Sequence, residues 1–582
     1  MKKLVTFLLL SVFAACACAQ QFDYDGITYQ ISSETNKTCE VTSGEVSGNV
    51  TIPEIVIYKE TQYTVSSIDT YAFFRCDNLS SIILPETITS IGMFAFYECK
   101  NLTSISIPGK LISIEAGTFS GCSSLSSISL PESLISIEEN AFNGCCNLSS
   151  ITLPETLTSI GNHAFEGCSS LASIFIPHNI NSIGERVFSG CYNLTVINVG
   201  EENKNYASID GVLFSKDVET LLTYPEGKSG EYNVPEGVTS IEDYAFYGCR
   251  NLSLISFPES LSSIGKYAFS GCTSLNSLSL PEGLVSIPDG VFDGCSSLTS
   301  ISLPQNLTSI GGLSFNDCSS LTSITLPATL TSINNWAFLQ CSSLTEINVA
   351  IGNKHFESNE GVLFSKDLTT LIICPGGKSN DYTVPNGVNS IGDFAFFGCS
   401  DLTSIRLPLS LTSIGQCAFF HCNSLSSISL PKNLTTIDSS AFEGCESLSF
   451  VSLPPSLLSI ESLSFYKCKN LQTVNSYATT PPAFGDGAFD EIAEDAVLHV
   501  PVGTKDEYAA ANGWSAFRTI IDDLTEEAGV EEIGAETFEN NSDEVIEIFN
   551  LQGYRISIGQ RSELQSLPAG IYIVNGKKVL IK

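Results

Sequence analysis

Residues 147–168 read NLSSITLPETLTSIGNHAFEGC, from Asn147 to Cys168. Leu148, Ile151 and Leu153 form one apolar row, and Leu157, Ile160, Ala164, Phe165 and Cys168 continue it at uneven steps. Neither a 3.6-residue nor a 2-residue period holds throughout, so one amphipathic helix cannot bury this set. A coil that turns its side chains inward all round its circumference can. Ser150 to Leu153 alternates in and out and reads as a short strand on a concave face. Pro154 ends that strand, having no N–H for a ladder. The Ala-Phe-Glu-Gly-Cys segment is expected to close the convex side with a short turn, helical or 3₁₀.

The unit recurs. Cys76, Cys99, Cys122, Cys145, Cys168 and Cys191 are 23 residues apart. Cys249, Cys272, Cys295, Cys318 and Cys341 keep the same step, as do Cys399, Cys422, Cys445 and Cys468. A Phe stands three residues before each of these cysteines and a Leu three residues after. A fixed period of this length specifies a solenoid, in which each coil covers the apolar edges of its neighbours. Pro stands nine residues past the cysteine except at Gly200, Ala350 and Tyr477, where two long inserts open and the array ends. The inserts, 200–235 and 350–385, are copies at an offset of 150 residues: GVLFSKDVETLLTYPEGKSGEYNVPEGV and GVLFSKDLTTLIICPGGKSNDYTVPNGV. Val212 to Phe214 and Leu221 to Tyr224, about Ser215-Lys216-Asp217, read as a β-hairpin.

Leu148-x-x-Ile151-x-Leu153 has the frame of a leucine-rich repeat. With Pro after the strand, S-I-G-x-x-A-F-x-x-C and no Asn ladder, the 23-residue unit resembles the BspA-type leucine-rich repeats, frequent in surface proteins of Bacteroides and relatives and in trichomonads. The fold class expected is a β-rich repeat solenoid of leucine-rich repeats over 67–476, with strand-rich caps at 20–66 and 477–521. Caps are needed because a terminal coil would otherwise expose its apolar edge. The resemblance implies partners among host matrix proteins or neighbouring bacteria.

Both ends carry addresses. Lys2-Lys3, the apolar run Leu4 to Ala15 and Ala17-Cys18-Ala19 make 1–19 a secretory signal peptide, with lipid attachment at Cys16 as the competing reading. Its loss takes the net charge from −36 to −38. Segment 522–544 is acidic and reads as a solvated linker. Segment 545–582 has alternating apolar residues with turns at Gly570 and Asn575-Gly576, a small β domain. Its Asn550-Leu-Gln-Gly553, Arg555 and LPAGIYIVNGKKVLIK resemble the C-terminal sorting domain of type IX secretion substrates in Bacteroidota. That resemblance implies export across the outer membrane, with secretion machinery as a partner.

A chain with 63 acidic and 27 basic residues is a poor ligand for nucleic acid, whose phosphates need Lys and Arg. The sequence shows no zinc spacing, no G-x-S-x-G elbow and no cofactor motif. Gly227-Lys228-Ser229 and Gly377-Lys378-Ser379 lack the upstream Gly of a phosphate loop. The reading is non-enzymatic. Ladder cysteines stacked in register point the same way, so they read as packed thiols rather than disulfides. Cys39, Cys146, Cys374 and Cys417 lie off the ladder. The candidate binding surface is the concave face, a carpet of Ser and Thr such as Ser126, Ser127 and Ser129, with Phe175, Leu254, Glu346, Arg406 and Phe450 as landmarks. Phe214, Tyr224 and Phe364 in the inserts are rival contact sites. Adhesion or recognition is the expected function; self-association into a surface coat and glycan capture are the alternatives.

Overall fold

The computed structural model describes residues 20–525 and five further short strands between Glu531 and Ile581; the expected signal peptide lies outside the described residues. The chain divides into two compact units, one ending at Cys318 and the other beginning at Ser319. Both are built from the same coil.

In that coil Ser150–Ile151 pairs in parallel with Ser127–Ile128, 23 residues earlier, and so forms a first ladder. A second ladder was not legible in the apolar pattern. Ser159–Ile160 pairs in parallel with Ser136–Ile137 on one side and Ser182–Ile183 on the other. The convex segment contains hydrogen-bonded turns and no 3₁₀ helix. Cys168 N–H bonds back to the Phe165 carbonyl at 3.1 Å, but His163, Phe165 and Gly167 send their N–H groups to Glu185, Val187 and Ser189 of the next coil. His163 (φ 56°) and Gly167 (φ 74°) are left-handed, which stops any helical run after a single turn. The side chains inside the coil stack on their counterparts. Phe119, Phe142 and Phe165 are buried with ring centroids 5.5 and 5.4 Å apart, and Phe419, Phe442 and Phe465 repeat the arrangement at 5.0 and 5.1 Å.

The inserts are stitched into both ladders. In the first unit Tyr206–Ile209, Val212–Ser215 and Thr220–Thr223 form an antiparallel meander. Thr220–Leu221 then pairs with Ser240–Ile241 in the second ladder, and Gly230–Asn233 with Leu252–Ser256 in the first. The second unit repeats this with Phe356–Asn359, Val362–Ser365 and Thr370–Ile373. Asn203 organises the turn before the first meander. Its Nδ2 donates to the carbonyls of Pro177 and Ile180, and its Oδ1 accepts from the N–H groups of Asn205 and Tyr206, all at 2.8–3.0 Å. Asn353 does the same in the second unit.

At the N-terminal end Thr61–Ile68 pairs with Ser90–Ile91 and Gly48–Thr51 with Leu79–Ile83, which joins the strands of 20–66 to both ladders. In the second unit the ladder runs one coil beyond Ser476: Phe489 stacks on Phe465 at 4.9 Å and Ala483–Phe484 pairs with Ser459–Ile460. A helix, Lys505–Ala510, and the buried Trp514, whose Nε1 donates to the Pro482 carbonyl, then cover the apolar edge. The strands Val545–Asn550, Arg555–Gln560, Gly570–Val574 and Lys577–Ile581 form one antiparallel sheet.

Candidate functional site

The first ladder presents positions two, three and five of L-x-x-I-x-L to solvent, and the structure sorts their hydroxyls into two kinds. Position two is structural. Ser149, Thr299 and Thr345 each donate to the carbonyl of the residue 23 earlier, Ser126, Asn276 and Thr322 respectively. Positions three and five are free in the regular coils, where Ser127, Ser150 and Ser300, with Ser129, Thr152 and Ser302, are exposed and make no side-chain hydrogen bond among the described residues. Beside the N-terminal strands and the inserts they are engaged, as when Ser81 donates to Asn49, Ser256 to Asn233 and Ser404 to Asp381. Parallel register sets each free hydroxyl beside its equivalent in the next coil, roughly 4.8 Å away. They form short hydroxyl rows, such as Ser127–Ser150–Ser173 and Ser277–Ser300–Ser323, broken where Val196, Leu254, Glu346 or Phe450 takes the position. Much of the remaining Ser, Thr and Asn content is structural. Thr156 donates to the Glu132 and Leu134 carbonyls, and Asn179 to that of Glu155, which satisfies turn carbonyls that coil stacking would leave unpaired.

Phe175, Leu254, Glu346, Arg406 and Phe450 are all exposed on first-ladder strands. The fold does not gather them. Phe175 and Arg406 occupy position five and the other three position three, in coils that are never adjacent. They are isolated landmarks on the hydroxyl rows.

The three insert residues are corrected by the structure. Phe214 and Phe364 are completely buried and Tyr224 nearly so. The meander is paired into both ladders instead of standing free, so Val212, Leu213 and Phe214 all face apolar neighbours. Phe214 and Phe364 cannot be contact sites, and Tyr224 is left with no more than an edge of its ring exposed. Lys228 and Lys378 of the two Gly-Lys-Ser segments donate to the carbonyls of Asp210 and Glu360.

The ladder cysteines are thiols, and all but Cys76, which is half-buried, lie in the core. Their place in the core has a cause that spacing did not reveal. Each Sγ from Cys122 to Cys191 donates to the carbonyl of the Phe 26 residues earlier, Cys168 to Phe142 at 3.3 Å for example, and Cys422, Cys445 and Cys468 do likewise. Burial pushes the thiols of Cys122, Cys168 and Cys468 up to about 12 and those of Cys145, Cys272 and Cys445 well above the ordinary thiol range. They are inert at neutral pH. No group of three or more His, Cys, Asp or Glu among the described residues could hold a metal ion, and no helix among them is long and apolar enough to cross a membrane.

Twenty-three-residue coils with an L-x-x-I-x-L strand stacked in parallel define a leucine-rich-repeat solenoid protein. The BspA type Leucine rich repeat region, in six copies, matches residues 49–145, 89–219, 228–365 and 376–493, and the chain belongs to that family. Among solved structures it is similar to a leucine rich cell surface protein of Faecalibacterium prausnitzii (29% identity, TM-score 0.51), over 58% of this chain and 96% of that one. The pneumococcal vaccine antigen PcpA shares the fold at 24% identity and TM-score 0.53, over 67% of this chain and 98% of its own. Among curated proteins none matches.

Proposed function

We propose that this is an exported, non-enzymatic recognition protein that binds host matrix proteins or other cells through the first-ladder face. The observation that carries the reading is the set of free, exposed hydroxyls at positions three and five of successive regular coils, Ser127, Ser150 and Ser173 among them. They give a ligand many equivalent weak contacts, which multiply when engaged together. The likeness to a leucine rich cell surface protein supports display outside the cell. The C-terminal sheet supports a separate module for export, since its strands pair with one another and with Glu531–Glu532 rather than with either ladder. Secretion machinery is its proposed partner.

The test replaces Ser127, Ser150 and Ser173 together by Lys on the purified protein. All three are exposed at position three, so the melting temperature should hold while capture on immobilised matrix proteins or whole cells falls. Unchanged capture would remove this face from the function. Concentration-dependent sedimentation without any ligand would point instead to a self-associating coat. Deleting Val545 to Lys582 in the native bacterium should hold the protein in the periplasm; normal surface amounts would deny the tail its sorting role.

A further inference from the structure

The two inserts are built alike, with the same meander and the same Asn-centred turn, so each side chain of one has a counterpart on equivalent backbone in the other. They differ sharply at one place. Where the first insert meets the convex turns, a cavity of about 290 Å³ opens, walled in part by Arg186, Glu226, Tyr206, Tyr224, Tyr244 and Tyr247.

Glu226 is only 6% exposed. Its Oε1 accepts the Gly190 N–H at 2.7 Å. In the preceding coil the equivalent amide, that of Gly167, bonds to the carbonyl of Ser189, and the insert puts the carboxylate where such a carbonyl would stand. The other oxygen, Oε2, is buried without a partner. Burial raises the Glu226 carboxyl to about 7. Arg186 is already engaged: it donates to Glu166 at 2.9 Å and lies over the rings of Tyr244 and Tyr247 at 5.4 and 4.9 Å.

In the second insert Trp336 stands for Arg186 and Gly376 for Glu226. Phe356, Cys374, Phe394 and Phe397 stand for the four tyrosines. Every hydroxyl, the carboxylate and the guanidinium are gone, and Trp336 packs edge-on to Phe394 with centroids 5.3 Å apart. The meander forms in both cases, so the polar set is not needed to build it.

We propose that the cavity of the first insert binds a single neutral sugar residue. Its chemistry leaves few other occupants. An anion would meet Glu226, Glu242 and Asp243 in the wall, with Arg186 already paired. An apolar molecule would leave the buried Oε2 without a donor. A free cation would have to compete with Arg186 for the faces of Tyr244 and Tyr247. A pyranose supplies hydroxyl donors for the carboxylate and C–H faces for the remaining aromatic surface, and a cavity of this volume suits one ring rather than a chain. This gives the recognition reading above a ligand class. Because it is tested on purified protein with free sugars, its outcome is independent of capture by the first-ladder face.

The experiment is saturation-transfer NMR and calorimetry on the full chain with methyl glycosides of hexoses, 6-deoxyhexoses and N-acetylhexosamines, with methylammonium and acetate as controls. At least one glycoside should bind in the millimolar range or tighter. The combined variant Arg186→Trp, Glu226→Gly, Tyr244→Phe and Tyr247→Phe imports the residues of the second insert and should weaken binding by about tenfold or more. If that variant melts early, Glu226→Gln and Tyr247→Phe decide singly, and undiminished binding in both overturns the site. Binding that survives the combined variant, no glycoside bound at all, or binding of methylammonium or acetate alone would each overturn the proposal.

Discussion

Gly161 and Gly167 lie six residues apart in one coil and are glycines for different reasons. A Cβ on Gly161 would come within 2.5 Å of the Glu139 backbone nitrogen in the preceding coil, so backbone rather than a side chain must shift to admit one, although other coils carry a side chain in this slot, Glu138 among them. Gly167 needs a positive φ, but a Cβ there would meet only Gly144 at an ordinary 3.5 Å, and Glu98 and Lys467 occupy the same slot with φ 54° and 59°. Gly161→Ala should therefore cost about 2–3 kcal/mol through overpacking. Gly167→Ala should cost only about 1 kcal/mol through left-handed strain. Urea titration of the two variants checks the order, and equal losses would refute the backbone-contact account. Cys272 is a third case. Its Sγ donates to the Phe246 carbonyl at 3.2 Å, but that carbonyl also accepts the Cys249 N–H, so removing the thiol orphans nothing. Cys272→Ala should cost about 1–3 kcal/mol, as a modest cavity does. A larger loss would mean that the thiol bond itself matters.

At the scale of the element, Asn203 holds the first insert to the coil before it. It is 1% exposed and makes four hydrogen bonds, two as donor and two as acceptor. Asn203→Ala would leave two backbone N–H groups without their acceptor and should cost about 2–4 kcal/mol. Asn203→Asp should cost at least as much, because it sets a carboxylate oxygen against the Pro177 and Ile180 carbonyls. Thermal melts of both variants decide; a loss no greater than that of an exposed Asn would refute the assignment. This asparagine was not legible in the sequence, since its partners lie up to 26 residues away and it stands outside the 23-residue period. The 23-residue coil, its first strand and its packed thiols were legible because each repeats and each is apolar. Ser159–Ile160 escaped because a two-residue strand is too short to show alternation. Phe214 and Phe364 were misread for a different reason. Two apolar strands joined by a polar turn look like a protruding hairpin unless the parallel pairing of Thr220–Leu221 with Ser240–Ile241 is known. Glu226 and Arg186 gave no signal either, since a lone acid and a lone base are seldom more than surface charge.

Across the whole molecule the buried thiols make stability depend on pH in one direction. Cys122, Cys168 and Cys468 are pushed by burial to about 12, and Cys145, Cys191, Cys249, Cys272, Cys295, Cys422 and Cys445 are likewise pushed well above the ordinary thiol range. In the unfolded chain the same groups titrate near about 8.5. Above that pH the unfolded state releases protons that the folded state keeps, so it binds fewer, and stability falls as pH rises. The slope approaches about 1.4 kcal/mol per pH unit for each thiol. Below about pH 8 both states hold the proton and these groups contribute nothing. Melting followed by circular dichroism should thus be nearly flat in the contribution of these raised thiols from pH 7 to 8 and drop steeply by pH 10. Cys76, held down to about 7 by its neighbour Cys99, is not among them. In the same protein, thiol titration in denaturant without reductant should find most ladder cysteines free. The two readings check each other, because a disulfide neither titrates nor reacts. If the alkaline drop were absent and the thiols appeared only after reduction, the ladder would be bridged. If the thiols were free but the profile stayed flat, they would be hydrated, and the stacked Phe–Cys core would be wrong in both units.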